Sequence, residues 1–137
     1  MNPKILIVDD SSSWLTFHQN AIEEVFIEIN NDNYAIDMAQ SARDGYNFLM
    51  SNAEVPYDLI VTDLQMEEDF APKYAGEWFV EQVRTFKKYV NTKIIISSGC
   101  NNIKQIAENL SVDYIPKRVA VTDINLYKAK LLPYLKG

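Results

Sequence analysis

The chain has 137 residues, enough for one domain with a sizeable core and too few for two comfortable ones. Its 19 Asp and Glu against 13 Lys and Arg give a net charge of −6 and a pI of about 4.7, which argues against a non-specific nucleic-acid binder, since that role needs a basic face. The longest apolar run falls far short of the ~18–20 residues of a membrane span, the start Met1-Asn2-Pro3-Lys4 leads into too few apolar residues for a signal peptide, and the single Cys100 excludes an internal disulfide and fits a reducing compartment, so a cytoplasmic protein is expected.

Ile5-Leu6-Ile7-Val8 is a short, β-branched-rich apolar run followed at once by Asp9-Asp10, the pattern of a strand buried on both faces. Trp14, Phe17, Ala21, Val25 and Ile29, with Leu15, Ile22 and Phe26 beside them, then predict a helix over about 11–30, capped by Ser11 or Asp10. Tyr34-Ala35-Ile36-Asp37-Met38 alternates and carries a charge, which suits a strand at a sheet edge. A second helix is expected over about 41–52. Leu59-Ile60-Val61 is the next buried strand, and Phe79, Val80, Val83 and Phe86 predict a helix over about 76–89. Ile94-Ile95-Ile96 is another buried strand; Ile103, Ile106, Ala107 and Leu110 give a helix after it. Asp113-Tyr114-Ile115-Pro116 reads as a second edge strand, because proline cannot donate to a ladder. Ile124, Tyr127, Leu131 and Leu135 give a last helix, capped by Thr122 and bent or ended near Pro133. Strand and helix thus alternate five times, which calls for a parallel sheet covered by helices on both faces.

Ligands of such sheets bind beyond the C-terminal ends of the strands. The residues there are Asp9 and Asp10 after the first strand, Asp63 after the third, Ser97-Ser98-Gly99 after the fourth and Lys117 after the fifth. Three carboxylates on one rim repel one another unless a cation or proton relieves them. Mg²⁺ is the natural partner, because it takes hard oxygen ligands and favours one or two carboxylates together with a phosphate. A carboxylate is also a nucleophile toward phosphorus, and a metal and an ammonium neutralise the charge of a transferred phosphoryl group. A lone Asp at a strand end is usually a loop cap; the full set, each member on a different strand, is harder to explain that way.

These residues resemble the receiver domain of two-component response regulators, over essentially the whole chain. Ile5-Leu6-Ile7-Val8-Asp9-Asp10 is similar to the family's first strand and acidic pair, and Asp58-Leu59-Ile60-Val61-Thr62-Asp63-Leu64-Gln65-Met66 to its phosphoacceptor strand. The resemblance implies a flavodoxin-like (βα)5 three-layer α/β sandwich, with a five-stranded parallel sheet of order 2-1-3-4-5, and a single receiver domain over 1–137 without an output domain. It implies that Asp63 is the phosphoacceptor, that Mg²⁺ is bound by Asp10, Asp9, Asp63 and the Gln65 backbone carbonyl, and that Lys117 pairs with the phosphoryl group. Ser98, followed by the small Gly99, is the implied switch hydroxyl, with Ser97 as the alternative; Tyr114 matches the aromatic switch position or is simply a half-buried edge residue. The implied partners are a histidine kinase or phosphotransfer protein and a downstream protein effector, met through the face of helix four, strand five and helix five, with Lys104, Arg118, Tyr127 and Lys128 as candidate contributors. Direct nucleic-acid binding and membrane insertion are not expected. One chain leaves open whether phosphorylation promotes a homodimer.

Two features depart from the family pattern. Gly76 lies 13 residues after Asp63 where the family reaches its glycine after about eight, which implies an insertion of roughly five residues within 67–75. It is expected to be a tolerated surface loop or a lid affecting phosphoryl lifetime. Arg118 stands where the family has a proline joined to the lysine by a cis bond, so a trans Lys117–Arg118 bond is expected, a cis one costing about 2.5–4 kcal/mol here. His18 is read as a packing or surface residue, and Cys100 as an inert buried thiol. A degenerate receiver used only for docking, and a Mg²⁺-dependent phosphohydrolase with an Asp nucleophile, are the competing functions. The hydrolase lacks its second Asp, because Gln65 occupies that position. The chain is therefore expected to be a switch rather than a turnover enzyme.

Overall fold

The structure, a computed structural model, describes residues 2–66 and 74–136. Five parallel strands, β1 (Lys4–Val8), β2 (Ala35–Ala39), β3 (Leu59–Thr62), β4 (Lys93–Ser98) and β5 (Asp113–Pro116), form one sheet in the order β2-β1-β3-β4-β5. Helices α1 (Ser12–Glu28), α2 (Ala42–Ser51), α3 (Ala75–Thr85), α4 (Ile103–Leu110), α5 (Lys117–Thr122) and α6 (Ile124–Leu135) cover both faces. The flavodoxin-like sandwich expected from the sequence is what forms, and the two strands marked by a charge and a proline are its edges.

The apolar runs explain the layers. Successive side chains of a strand point to opposite faces. Leu6, Val8, Ile60, Ile94 and Ile96 enter one core with Leu49 of α2, Phe79 and Val83 of α3, and Ile106 of α4. Ile5, Ile7, Leu59, Val61 and Ile95 enter a second core with Ile22 and Phe26 of α1 and Tyr127 and Leu131 of α6. Each strand between the edges needs apolar residues at consecutive positions, because both of its faces are buried.

Local signals set the helix ends. The Ser11 hydroxyl accepts the Trp14 N–H and starts α1. Its end is marked by Asn30 in the left-handed region at φ 57°. Ser41 caps α2 in the same way through the Asp44 N–H. Helix α3 stops at Thr85, short of the expected residue 89: Phe86 is extended, and a 3₁₀ turn over Lys87–Tyr89 follows. That turn buries Tyr89, whose hydroxyl donates to the Leu49 carbonyl at 2.6 Å.

The end of the chain differs from expectation. Lys117 opens α5 directly after β5, and Asp123, at φ −134° and ψ 73°, separates α5 from α6. Asp123, not Thr122, caps the last helix: its carboxylate accepts the Leu126 N–H, while the Thr122 hydroxyl donates back to the Arg118 carbonyl. Pro133 lies in the final turn, and α6 ends just beyond it at the buried Leu135, near the proline as expected, so the missing N–H falls where little helix remains to lose. Tyr127 and Lys128 do not belong to an outward face with α4. Tyr127 is fully buried against α1, and Lys128 pairs with Glu28 of α1. The proposed insertion lies largely outside the described residues.

Candidate functional site

The C-terminal rim of the sheet gathers the residues that the sequence placed there. Asp9 follows β1 and Asp63 follows β3, with the Asp63 N–H donating to the Val8 carbonyl at 3.0 Å. This bond ties the two strand ends together. Carboxylate oxygens of Asp9, Asp10 and Asp63 lie within 4.8 Å of one another. Asp9 and Asp63 are buried, at 1% and 5% exposure, and Asp10 is the most open of the three.

Asp63 is held at both oxygens. Oδ1 accepts the Leu64 N–H at 2.7 Å and the Gln65 N–H at 3.3 Å, so the backbone turns around the carboxylate. Oδ2 accepts from the Lys117 ammonium at 2.7 Å. Lys117 also approaches Asp9 Oδ2 at 2.9 Å. This second contact is a charge contact without hydrogen-bond alignment, and it leaves the buried Asp9 Oδ2 with no hydrogen-bond donor aimed at it. Asp9 Oδ1 accepts the Ser11 N–H at 2.9 Å.

The electrostatics follow from burial. Loss of water pushes the Asp9 carboxyl above its ordinary range, against the opposing pull of the Ser11 N–H and Lys117. Burial alone would depress Lys117; the hydrogen bond and charge of Asp63, with the charge of Asp9, prevail and hold the ammonium above its usual value. Three carboxylates thus share a pocket with one ammonium placed between two of them. An under-coordinated buried carboxylate oxygen beside two further carboxylates is a hard, oxygen-rich donor set, and it fits a divalent cation of the Mg²⁺ type.

Strand β4 separates the two serines. Ile94 and Ile96 enter the core of α2, α3 and α4, whereas Ile95 enters that of α1 and α6. Alternation therefore puts Ser98 on the first face, where Tyr114 also packs, and Ser97 on the second. Both are fully buried. Ser98 Oγ accepts the Cys100 N–H at 3.2 Å, and Ser97 Oγ has no partner among the described residues. Tyr114 is half-buried, with Lys130 Nζ 5.8 Å from its ring centre. Asp113 anchors that lysine at 2.9 Å and also accepts the Tyr134 hydroxyl.

Gly76 lies in the first turn of α3, directly against the turn that follows β3. Its N–H donates to the Leu64 carbonyl at 3.0 Å, and a Cβ there would fall 2.0 Å from the Asp63 carbonyl oxygen. Only glycine allows α3 this close to residues 63 and 64. His18, as expected, is a packing residue: it is buried, and Nδ1 lies 2.6 Å from the Tyr127 hydroxyl. Burial, reinforced by the charge of Lys117, lowers its pKa to about 3. Cys100 is buried, and its thiol donates to Asn102 Oδ1. Trp14 is the residue that sequence reasoning passed over as part of the α1 stripe. The Lys117 ammonium sits over its ring at 4.7 Å. The available signal was position, because residue 14 lies in the first turn of the helix that Ser11 caps, four residues after Asp10.

No family model matches the chain, and no curated relative matches it. Solved structures do. The signal receiver domain of a DNA-binding response regulator from Colwellia psychrerythraea 34H is 17% identical and superposes with a TM-score of 0.76, covering 99% of this chain and 100% of that one. This chain has the receiver-domain fold. The phosphorylated cyanobacterial phytochrome response regulator RcpA is 18% identical, with a TM-score of 0.77 over 98% of this chain and 95% of that one. The Mn²⁺-bound form of the response regulator Rcp1 is 15% identical, with a TM-score of 0.68 over 94% and 91%. No helix among the described residues is long and apolar enough to cross a membrane.

Proposed function

We propose that this chain is a single receiver domain that accepts a phosphoryl group on Asp63 and works as a phosphorelay switch. The observation that carries this reading is the Lys117 ammonium, 2.7 Å from Asp63 and 2.9 Å from Asp9, beside a third carboxylate at the C-terminal rim of a receiver-type sheet. Asp9, Asp10, Asp63 and the Gln65 carbonyl would hold Mg²⁺; when bound, the ion neutralises charge on the transferred group. That a structural neighbour is a Mn²⁺-bound form supports a divalent cation here.

The chain's own residues supply the rest. A carboxylate oxygen of Asp63 attacks the phosphorus of a phosphohistidine on a histidine kinase or phosphotransfer protein. The P–O bond forms as the P–N bond breaks, and the departing imidazole nitrogen is protonated from solvent. Leu64 and Gln65 N–H groups fix the nucleophile's orientation. Lys117 turns from carboxylate to phosphoryl oxygens as charge builds there. The Ser98 hydroxyl donates toward the new group, and Tyr114, on the same face, follows it inward. The change is read at the face of α4, β5 and the last helix, α6, by a protein effector in the cytoplasm, because that effector's affinity differs between the two states. On this reading the domain turns over nothing but its own phosphoryl group.

Amide spectra with Mg²⁺ and beryllofluoride test the proposal. Shifts at residues 63–65, 98 and 114 in the wild type, absent in Asp63→Asn, are expected. Identical spectra for both proteins would instead favour a docking module, and multiple turnover of a phosphate ester would favour a hydrolase.

A further inference from the structure

Lys117 is the only cation bridging the acidic cluster among the described residues, and its placement is unusual for a lysine. It is the first residue of α5, directly after Pro116. Its four-carbon stem is flexible, and holding one geometry costs rotamer entropy. Two of the ammonium's contacts are Asp9 Oδ2 and Asp63 Oδ2. A cation bound by those carboxylates competes for the same oxygens and repels the ammonium. The third contact is the face of Trp14, with the ammonium 4.7 Å from the ring centre. It is uncharged and provides no ligand for a hard cation, so it persists when the carboxylates are taken.

The indole is itself braced. Phe17 meets it edge-on at 5.2 Å between centroids, and His18 lies at 5.8 Å. His18 is fixed by the Tyr127 hydroxyl of α6, and Phe17 stacks on Tyr127 at 6.0 Å. Positions 14, 17 and 18 form one patch of α1, as spacings of three and four require. The row Trp14, Phe17, His18 and Tyr127 therefore forms a rigid aromatic wall behind the Lys117 head group.

We infer that Trp14 is a positioning residue, whose ring keeps the Lys117 ammonium at the acidic rim when a divalent cation occupies Asp9 and Asp63. This rests on the phosphoacceptor reading, but its first test does not. In proton spectra of the metal-free protein, the Lys117 ε-methylene protons are expected upfield of ordinary lysines because of the indole ring current. Trp14→Phe should retain a smaller upfield shift, and Trp14→Leu should abolish it. Adding Mg²⁺ to the wild type should leave the shift in place. Beryllofluoride affinity in Mg²⁺ should fall about five- to tenfold in Trp14→Leu and recover in Trp14→Phe, in line with a partly desolvated cation–π contact. Circular dichroism checks that both variants fold. Equal Lys117 shifts in wild type and Trp14→Leu, loss of the wild-type shift on adding Mg²⁺, or equal beryllofluoride affinity overturns the inference. A wild type that shows the ring-current shift yet binds no beryllofluoride refutes the phosphoacceptor reading, while the contact between Trp14 and Lys117 stands.

Discussion

Replacing Gly76 with alanine tests how tightly α3 is joined to the candidate phosphoacceptor turn. The added methyl would lie 2.0 Å from the Asp63 carbonyl oxygen, 2.6 Å from Leu64 Cα and 2.9 Å from the Asp63 carbonyl carbon. Ordinary contacts of this kind lie near ~3.5 Å, so helix and turn must separate by more than about 1 Å. All three atoms are backbone, so no side chain can swing away. Separation also strains the bond from the Gly76 N–H to the Leu64 carbonyl. Overpacking costs about 1–3 kcal/mol and the weakened bond about 1 kcal/mol, against a gain of under about 1 kcal/mol from alanine's helix propensity. The net loss is about 1–4 kcal/mol, which lowers Tm by about 4–15 °C in a domain of this size.

Urea and thermal unfolding of Gly76→Ala measure this loss, and Gly99→Ala is the control. A Cβ at Gly99 meets nothing within 4 Å, so that variant should stay within about 0.5 kcal/mol of wild type. The same displacement moves Leu64, whose N–H holds Asp63 Oδ1, so beryllofluoride affinity should fall at least about tenfold in Gly76→Ala, equivalent to ~1.4 kcal/mol. If Gly76→Ala matched Gly99→Ala in stability, the close approach of α3 to residues 63 and 64 would be wrong.

Two further predictions concern buried polar groups. The His18 pKa falls from 6.5 to about 3 on folding, so between those values the unfolded chain binds more protons than the native one. Stability then decreases as pH falls, and by linkage the wild type should lose about 2 kcal/mol more than His18→Gln between pH 7 and pH 5. Urea unfolding at both pH values reads this difference, and parallel losses would refute it. Ser97 Oγ is buried without a partner, so Ser97→Ala should be neutral or stabilising by up to about 1 kcal/mol in the same unfolding assay; a loss above about 1 kcal/mol would mean that the hydroxyl has a partner.

The sheet was legible because its signals are local. Continuous apolar runs at residues 5–8, 59–61 and 94–96 demand burial on two faces, while Asp37 and Pro116 mark strands that tolerate one open side. The rim was legible for the same reason, since a residue that ends a parallel strand has only one place to go. The break at Asp123 was less visible, because Thr122 and Asp123 are both competent caps and only the backbone geometry selects one. Tyr127 belongs to the apolar stripe of the last helix, as its spacing implies, and its burial excludes it from the outer face, where a tyrosine at helical spacing is an equal candidate. What decides is the partner, His18, 109 residues earlier.

Trp14 lies between these cases. A tryptophan in an apolar stripe is read as core, and the stripe of α1 does enter a core at Leu15, Ile22 and Phe26. Yet the helix start is fixed by Ser11, whose hydroxyl accepts the Trp14 N–H, and Ser11 in turn donates its own N–H to Asp9. The acidic pair, the cap and the indole are therefore one rigid unit set by six consecutive residues. Once Asp9 is at the rim, Trp14, in the first turn of α1, stands beside it. Lys117 arrives from the edge strand β5 with its charge committed to Asp9 and Asp63. An apolar ring in that position excludes water from one side of the ammonium and attracts it electrostatically from the same side. A leucine could do only the first, and the comparison of Trp14→Leu with Trp14→Phe separates the two effects.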